Sequence, residues 1–286
     1  MESLFSQLTR KRAQELSLLF TAQEIPHEID ASGGCLTLLV PQDLHAMALE
    51  MVTHYDAENR EKPLTSPWVL TPSWSGLFGA LILLTVFLKT GSLEGHEETV
   101  RLFAASASRI LSGEWFRTIT ALFLHSGWPH LLGNMAGLII FGTGVFQISG
   151  DGVGWFMLLI ASLLANWVNA FWFTGMGHVS FGASTLVFAA AGLLASAGSL
   201  RRLIFTGLSW RAFLPLGAGI SILALSGVGP GSDVTGHLLG FLFGLLFGVV
   251  PGLLPRKLEK NVQWAGLALS SALCSLAFFL GSTGVI

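Results

Sequence analysis

The feature that most limits what this chain can become is a series of seven apolar segments, at about 74–90, 129–148, 153–173, 182–200, 212–228, 234–254 and 262–280. A bilayer hydrocarbon core of about 30 Å is crossed by roughly 20 helical residues, and each segment is close to that length. From Thr118 onward only nine charged residues occur, Asp151, Arg201, Arg202, Arg211, Asp233, Arg256, Lys257, Glu259 and Lys260, and all nine lie between the segments. Lipid can satisfy no backbone polar groups, so apolar spans of this length are helices. The expectation is an all-α polytopic membrane protein with seven spans, the first of them short enough to borrow its flanks. Residues 91–128 are semi-polar, with amphipathic character over 100–111 and a mixed run over 115–124. That pattern predicts a segment lying at the interface instead of crossing.

Residues 1–62 read differently, as a small α+β domain. Leu4, Leu8, Leu16 and Leu19 have helical spacing over 4–20. Ile25, His27 and Ile29 then alternate with polar neighbours, Ser32-Gly33-Gly34 supplies a turn, and 35–40 returns as a second strand. A helix over 42–59 completes an α-β-β-α order, and Pro63, Pro67 and Pro72 mark a linker over 63–73. Arg10, Lys11, Arg12, Glu15 and Glu24 interrupt any apolar core near the N-terminus, so no signal peptide is expected. The net charge of −2 and pI near 6.4 give no basic face for nucleic acid. Cys35 and Cys274 lie on opposite sides of several spans and are expected to be reduced.

Basic residues set the orientation. With the N-terminus inside, eleven of the fifteen Lys and Arg fall on the inner side, leaving Lys89, Arg101, Arg109 and Arg117 outside. The positive-inside rule therefore predicts a cytoplasmic N-terminus and an outer C-terminus.

Polar side chains inside spans are costly and tend to face a protein interior or cavity. Here they are His130, Asn134 and Gln147 in span two, Asn166 and Asn169 in span three, Ser184 in span four and His237 in span six. In the predicted orientation spans two, four and six all begin on the outer side, so His130, Asn134, Ser184 and His237 share one depth. Helical phase adds a second indication. Gly240, Gly244 and Gly248 form a stripe within about 60° of His237, and Ala191, Ala195 and Gly198 lie within about 40° of Ser184. Two small-residue faces allow close helix approach, and their packing would bring hydroxyl and imidazole together.

A serine hydroxyl becomes nucleophilic when a base takes its proton, and neutral imidazole suits that task. His130 and Asn134, spaced i, i+4, could supply donors to a developing oxyanion, with the Ser184 backbone N–H as a third. No carboxylate lies inside the spans, which leaves a Ser-His dyad as the serine arrangement available. Taken singly, each residue has a plainer reading. Ser184 could bond the preceding turn, His237 could line a cavity, Gly stripes pack helices, and Asn166 and Asn169 could join helices. A metal at His125 and His130 would need partners that no HExxH or carboxylate cluster provides, so neither metal nor cofactor is expected.

At these residues the sequence resembles the rhomboid family. Glu114-Trp115-Phe116-Arg117 precedes His125-Ser-Gly-Trp-Pro-His130-Leu-Leu-Gly-Asn134. Gly182-Ala183-Ser184-Thr185 and Gly236-His237-Leu-Leu-Gly240, with Gly244, follow in the family's order over about residues 70–254. The resemblance implies a six-helix core over 74–254 and an additional C-terminal span within 255–286. It implies Ser184 as nucleophile, His237 as base, His130 and Asn134 at an oxyanion hole, and Phe188 packed on the catalytic histidine. Glu114, Arg117 and His125 would brace the interfacial loop, with Gly182 and Gly240 as supporting positions. Implied partners are the lipid bilayer and single-pass transmembrane substrates, cut near the outer face of a bacterial inner membrane, often after a small residue. The sequence carries no signal for an oligomeric state. Three departures stand out: Thr185 where glycine is common, Phe146 where many bacterial members carry Glu, and an N-terminal module only loosely similar to family cytoplasmic domains. Thr185 keeps open a second class of function, a rhomboid-like pseudoprotease that binds transmembrane helices without cutting them. A small transporter would need paired broken helices or an intramembrane charge, and neither is found.

Overall fold

The computed structural model describes residues 1–32, 35–59, 70, 72–93, 96–227, 232–254 and 257–283, and the chain divides into two compact units, Met1–Lys62 and Pro63–Ile286. The first unit holds strand β1 (Glu2–Leu8), helix α1 (Arg10–Ala22), strands β2 (Glu28–Asp30) and β3 (Leu36–Val40), and helix α2 (His45–Asn59). The sheet is antiparallel in the order β1-β3-β2. Leu16, Phe20, Ile25, Leu38, Val40, Ala48 and Val52 form its core.

This corrects the expected α-β-β-α order, because residues 2–8 pair with β3 instead of beginning a helix. The β1–β3 register slips twice, between Ser3 and Phe5 and between Phe5 and Leu8. Those irregularities break the period of two, so that Leu4 and Leu8 acquire a spacing that looks helical. The true helix start was marked by Thr9, whose Oγ1 accepts from the Arg12 N–H at 3.2 Å. The two glycines of the expected hairpin turn, and most of the expected linker, lie outside the described residues.

The second unit is a polytopic all-α membrane fold. Helix α7 (Trp128–Gly137) runs through a π-turn (Leu138–Gly142) into α8 (Thr143–Ser149), giving one apolar helix of 22 residues. Helices α9 (Asp151–Trp172), α10 (Ser184–Thr206), α12 (Val234–Leu253) and α13 (Lys260–Thr283) are also long and apolar enough to cross a membrane. Helix α3 (Ser75–Thr90) and the turn and helix over Trp210–Ser226, the latter containing α11 (Leu214–Ser226), are shorter and apolar. At 1.5 Å per residue α3 rises about 24 Å. Between α3 and α7 lie α4 (Glu97–Phe103), β4 (Ala105–Ser106), α5 (Ala107–Leu111) and α6 (Arg117–Thr120). None of these helices exceeds seven residues, too short to cross.

The tightest seam joins α10 to α12. A Cβ on Gly240, Gly244 or Gly248 would collide with the backbone carbonyls of Thr185, Ala189 and Leu193 respectively, and one on Gly192 would strike the carbonyl of Phe241. Backbone therefore meets backbone along three turns. The expected partner face on α10 is corrected by this register. Ala195 sits against Gly219 of α11, and Gly198 against Pro215. The face of α10 that meets α12 is instead the one carrying Thr185, Ala189, Gly192 and Ser196.

Candidate active site

Ser184 is the first residue of α10 and His237 lies in the first turn of α12, so the glycine seam brings their side chains to one end of the bundle. Ser184 Oγ and His237 Nε2 are 2.8 Å apart. His237 Nδ1 lies 2.7 Å from the carbonyl oxygen of Gly227. A carbonyl only accepts, so Nδ1 carries the proton and donates; Nε2 is then the lone-pair nitrogen and accepts the Ser184 Oγ–H. The imidazole is buried and leans on Phe188, with ring centroids 4.7 Å apart. A backbone carbonyl thus fixes the tautomer and ring plane of His237.

Ser184 and His237 line a cavity of about 950 Å³ together with His130, Asn134, Phe188 and Asp233. His130 Nδ1 is 3.2 Å from Ser126 Oγ and 3.5 Å from the Ser126 backbone N, which can only donate. Neutral His130 with Nδ1 accepting carries its proton on Nε2. That nitrogen would lie 2.6 Å from a Cβ added to Gly182, and Asn134 Nδ2 3.5 Å from it. Gly182, with φ +122°, is needed twice, for its backbone angle and for the room it leaves beside the His130 ring. Asn134 is buried, and its Nδ2 has no hydrogen-bond partner among the described residues. A buried amide donor on the wall of the cavity that Ser184 also lines is costly unless something accepts from it.

The loop residues singled out in the sequence form a brace below this site. Arg117, 2% exposed, donates from Nε to Glu114 at 2.5 Å and from Nη1 to the Ala104 carbonyl at 3.1 Å. β4 pairs with strand β5 (Val179–Ser180), immediately ahead of Ser184, and the Gly182 N–H donates to the Ala121 carbonyl at 2.9 Å. The Asn166 amide donates to the Thr118 carbonyl at 2.8 Å, tying α9 to the same loop. His125 is fully buried, its Nδ1 is 3.3 Å from the Phe123 carbonyl, and its ring packs edge-on to His130 at 5.1 Å. Burial first, and the neighbouring His130 second, push the His125 pKa down to about 4, so it is neutral at pH 7.

Two of the departures noted in the sequence acquire a location. The Thr185 side chain is buried and its Oγ1 donates to Asn166 Oδ1 at 3.2 Å, pointing toward α9. The cavity is lined by Ser184, Val187 and Phe188 of α10, and Thr185 is not among its lining residues. Phe146 is fully buried and packs on Trp155 at 4.8 Å, an apolar contact in place of a polar one. Gly227, Asp233 and His178 were not expected at the site. The Gly227 contribution is a main-chain carbonyl, which no side-chain pattern announces. Asp233 was legible as a helix cap, since it precedes the apolar run of α12 by one residue.

Comparison with known proteins bears on residues from the loop to the end of α12. Residues 112–252 match the family model described as the Rhomboid domain. The chain is 30% identical over 168 residues to the rhomboid protease GluP of Bacillus subtilis (strain 168), an alignment covering 57% of this chain and 31% of that protein. The chain thus spans about a third of the length of this curated relative.

Proposed function

Because this chain belongs to the rhomboid family, we propose that it is an intramembrane serine endopeptidase whose nucleophile is Ser184 and whose base is His237. The observation that carries this reading is the 2.8 Å contact from Ser184 Oγ to an imidazole nitrogen left free to accept by the Gly227 carbonyl. In the proposed reaction Oγ attacks the scissile carbonyl carbon while Nε2 takes the hydroxyl proton. The oxyanion accepts hydrogen bonds from Asn134 Nδ2, His130 Nε2–H and the Ser184 backbone N–H. The imidazolium then protonates the leaving amine as the peptide C–N bond breaks. Water, deprotonated by the same nitrogen, hydrolyses the acyl-enzyme and restores the serine.

The substrates on this reading are single-pass transmembrane proteins, cut near the outer face of a bacterial inner membrane, with a small residue before the scissile bond. Residues 74–254 form the catalytic core, 255–286 carry the added span, and 63–73 link the core to a cytoplasmic N-terminal domain. The direction of the Thr185 side chain favours a working protease over a helix-binding pseudoprotease, because the threonine leaves the cavity clear.

A fluorophosphonate probe on the detergent-solubilised full chain tests the proposal. Labelling is expected at Ser184, and Ser184→Ala or His237→Ala should lower cleavage of a model transmembrane substrate by at least about 10⁴-fold. Cleavage by Ser184→Ala at the normal rate would remove the mechanism. A well-folded protein that binds the substrate but takes no probe would replace it with the pseudoprotease.

A further inference from the structure

Asp233 is the only carboxylate among the described residues lining the cavity, and the dyad makes no use of it. It caps α12. Its Oδ1 accepts from the Gly236 N–H at 2.9 Å, and its backbone carbonyl accepts from the His237 N–H at 3.0 Å. A serine or threonine would cap a helix equally well. What the carboxylate adds is reach. Its second oxygen accepts from Asn169 Nδ2 at 2.6 Å and lies 3.4 Å from His178 Nε2.

Each partner is itself held. Asn169 is 1% exposed on α9, a helix packed along α10, α12 and α13. His178 stacks on Phe173 with ring centroids 4.1 Å apart, and its carbonyl accepts from the Ala107 N–H at 3.0 Å. His178 also stands just ahead of β5, on the segment that leads to Ser184. The start of the His237 helix, the approach to the Ser184 helix and the side of α9 therefore meet at one carboxylate.

The first turn of α12 is otherwise held through the His237 side chain, by Gly227, Ser184 and Phe188. Its glycine seam with α10 begins at Gly240, beyond His237, and helix ends fray unless their N–H groups are held. We propose that Asp233, tethered to Asn169, is a positioning residue that keeps the first turn of α12 in register, so that His237 Nε2 stays within reach of Ser184 Oγ. The assignment rests on the dyad reading above. It assigns Asp233 no contact with substrate.

Steady-state cleavage by the full-length protein in detergent tests the assignment, with Asn169→Ala, Asp233→Ser and the double variant. Serine keeps the cap and gives up the tether; alanine at 169 removes the same tether from its other end and leaves the cap in place. Each single variant should lower kcat on the order of 10- to 100-fold, the cost of misplacing a reacting group by about an ångström, with KM within about twofold. Because both remove one interaction, the double variant should lose no more than the worse single one. A kcat at the wild-type level in either variant, a loss carried by KM, or losses that multiply would overturn the assignment. If Asp233→Ser does not fold, Asp233→Asn keeps an oxygen for Gly236 and sets an amide donor against the Asn169 donor, and the same outcomes apply. Ser184→Ala run beside them separates the two readings. If it cleaves normally the dyad fails; if it is dead while Asn169→Ala and Asp233→Ser are normal, only the role of Asp233 fails.

Discussion

Two helix seams in the membrane unit use the same device and differ in how far they extend it. Along α10–α12, Gly240, Gly244 and Gly248 put backbone against backbone for three turns. Along α9–α13 the close approach is local: a Cβ on Gly152 would strike the Gln263 carbonyl, and one on Gly266 would lie 2.7 Å from the Gly152 carbonyl. Beyond that point α13 is held by a single stripe, Gly266, Ser270, Ala277 and Gly281, and by Phe278 against Phe103 and Phe123 at 5.8 and 5.2 Å. A seam closed over its whole length fixes the phase of two helices, which a 2.8 Å contact between side chains requires. A seam closed at one end only fixes where a helix is attached.

The largest expected effect breaks the first seam and spares the second. Gly244→Val drives two methyl groups into the Ala189 backbone, which cannot retreat without separating α10 from α12. We expect a stability loss of about 3 kcal/mol or more and a fall in kcat on the order of 100-fold. Gly266→Val should cost about 1–2 kcal/mol and leave kcat within about twofold, because α13 can tilt away at its periphery. Gly217→Ala on α11, where an added Cβ meets nothing within 4 Å, is the control expected to change neither. Thermal midpoints and steady-state kinetics in one detergent read all three. Equal losses of kcat from Gly244→Val and Gly266→Val would erase the distinction between the seams.

The next effect concerns the loop that runs between the seams. His125 lies two residues beyond Phe123, which touches α13, and packs on His130, which lines the cavity. Its pKa is about 4 in the folded chain against about 6.5 when unfolded. The unfolded chain binds the extra proton between those values, so stability is fully present above pH 6.5 and is lost as pH falls toward 4. The shift corresponds to about 3 kcal/mol. His125→Gln should flatten that part of the stability profile relative to wild type, measured by thermal midpoint from pH 7 to pH 4. Parallel profiles for the two proteins would mean that His125 is not the group responsible.

The seams also show what the chain makes legible. The α10–α12 seam could be read from one strand of text, because glycines at every fourth position carry a phase and His237 shares it. Its partner face could not. Which stripe of α10 meets those glycines depends on how α11 crowds the other side, and Ala195 and Gly198 turned out to serve α11. Ser184, His237, His130 and Asn134 were brought forward because polar groups in apolar spans are few. Gly227 stayed hidden because its contribution is a carbonyl, and Asp233 because charges between spans are ordinarily solvated. In the first unit β1 imitates a helix in sequence because two register slips replace its alternating pattern.

The smallest effect separates attachment from alignment at the α9–α13 contact itself. Gln263 Oε1 accepts from the Val153 N–H at 3.0 Å, and its Nε2 donates to the Ser149 carbonyl at 2.9 Å. Both partners belong to the turn where α8 gives way to α9, whose backbone groups have no helical partner of their own. Gln263→Ala removes both of these interhelical bonds, and a longer one to the Leu258 carbonyl at 3.5 Å, without adding volume; side-chain bonds between membrane helices are worth about 0.6 kcal/mol each. A loss of about 1 kcal/mol is expected, with kcat unchanged, because the glycine contact above it remains. If kcat falls in step with stability, α13 is aligning the catalytic helices through α9. The one-ended seam would then have to be counted as part of the active-site frame.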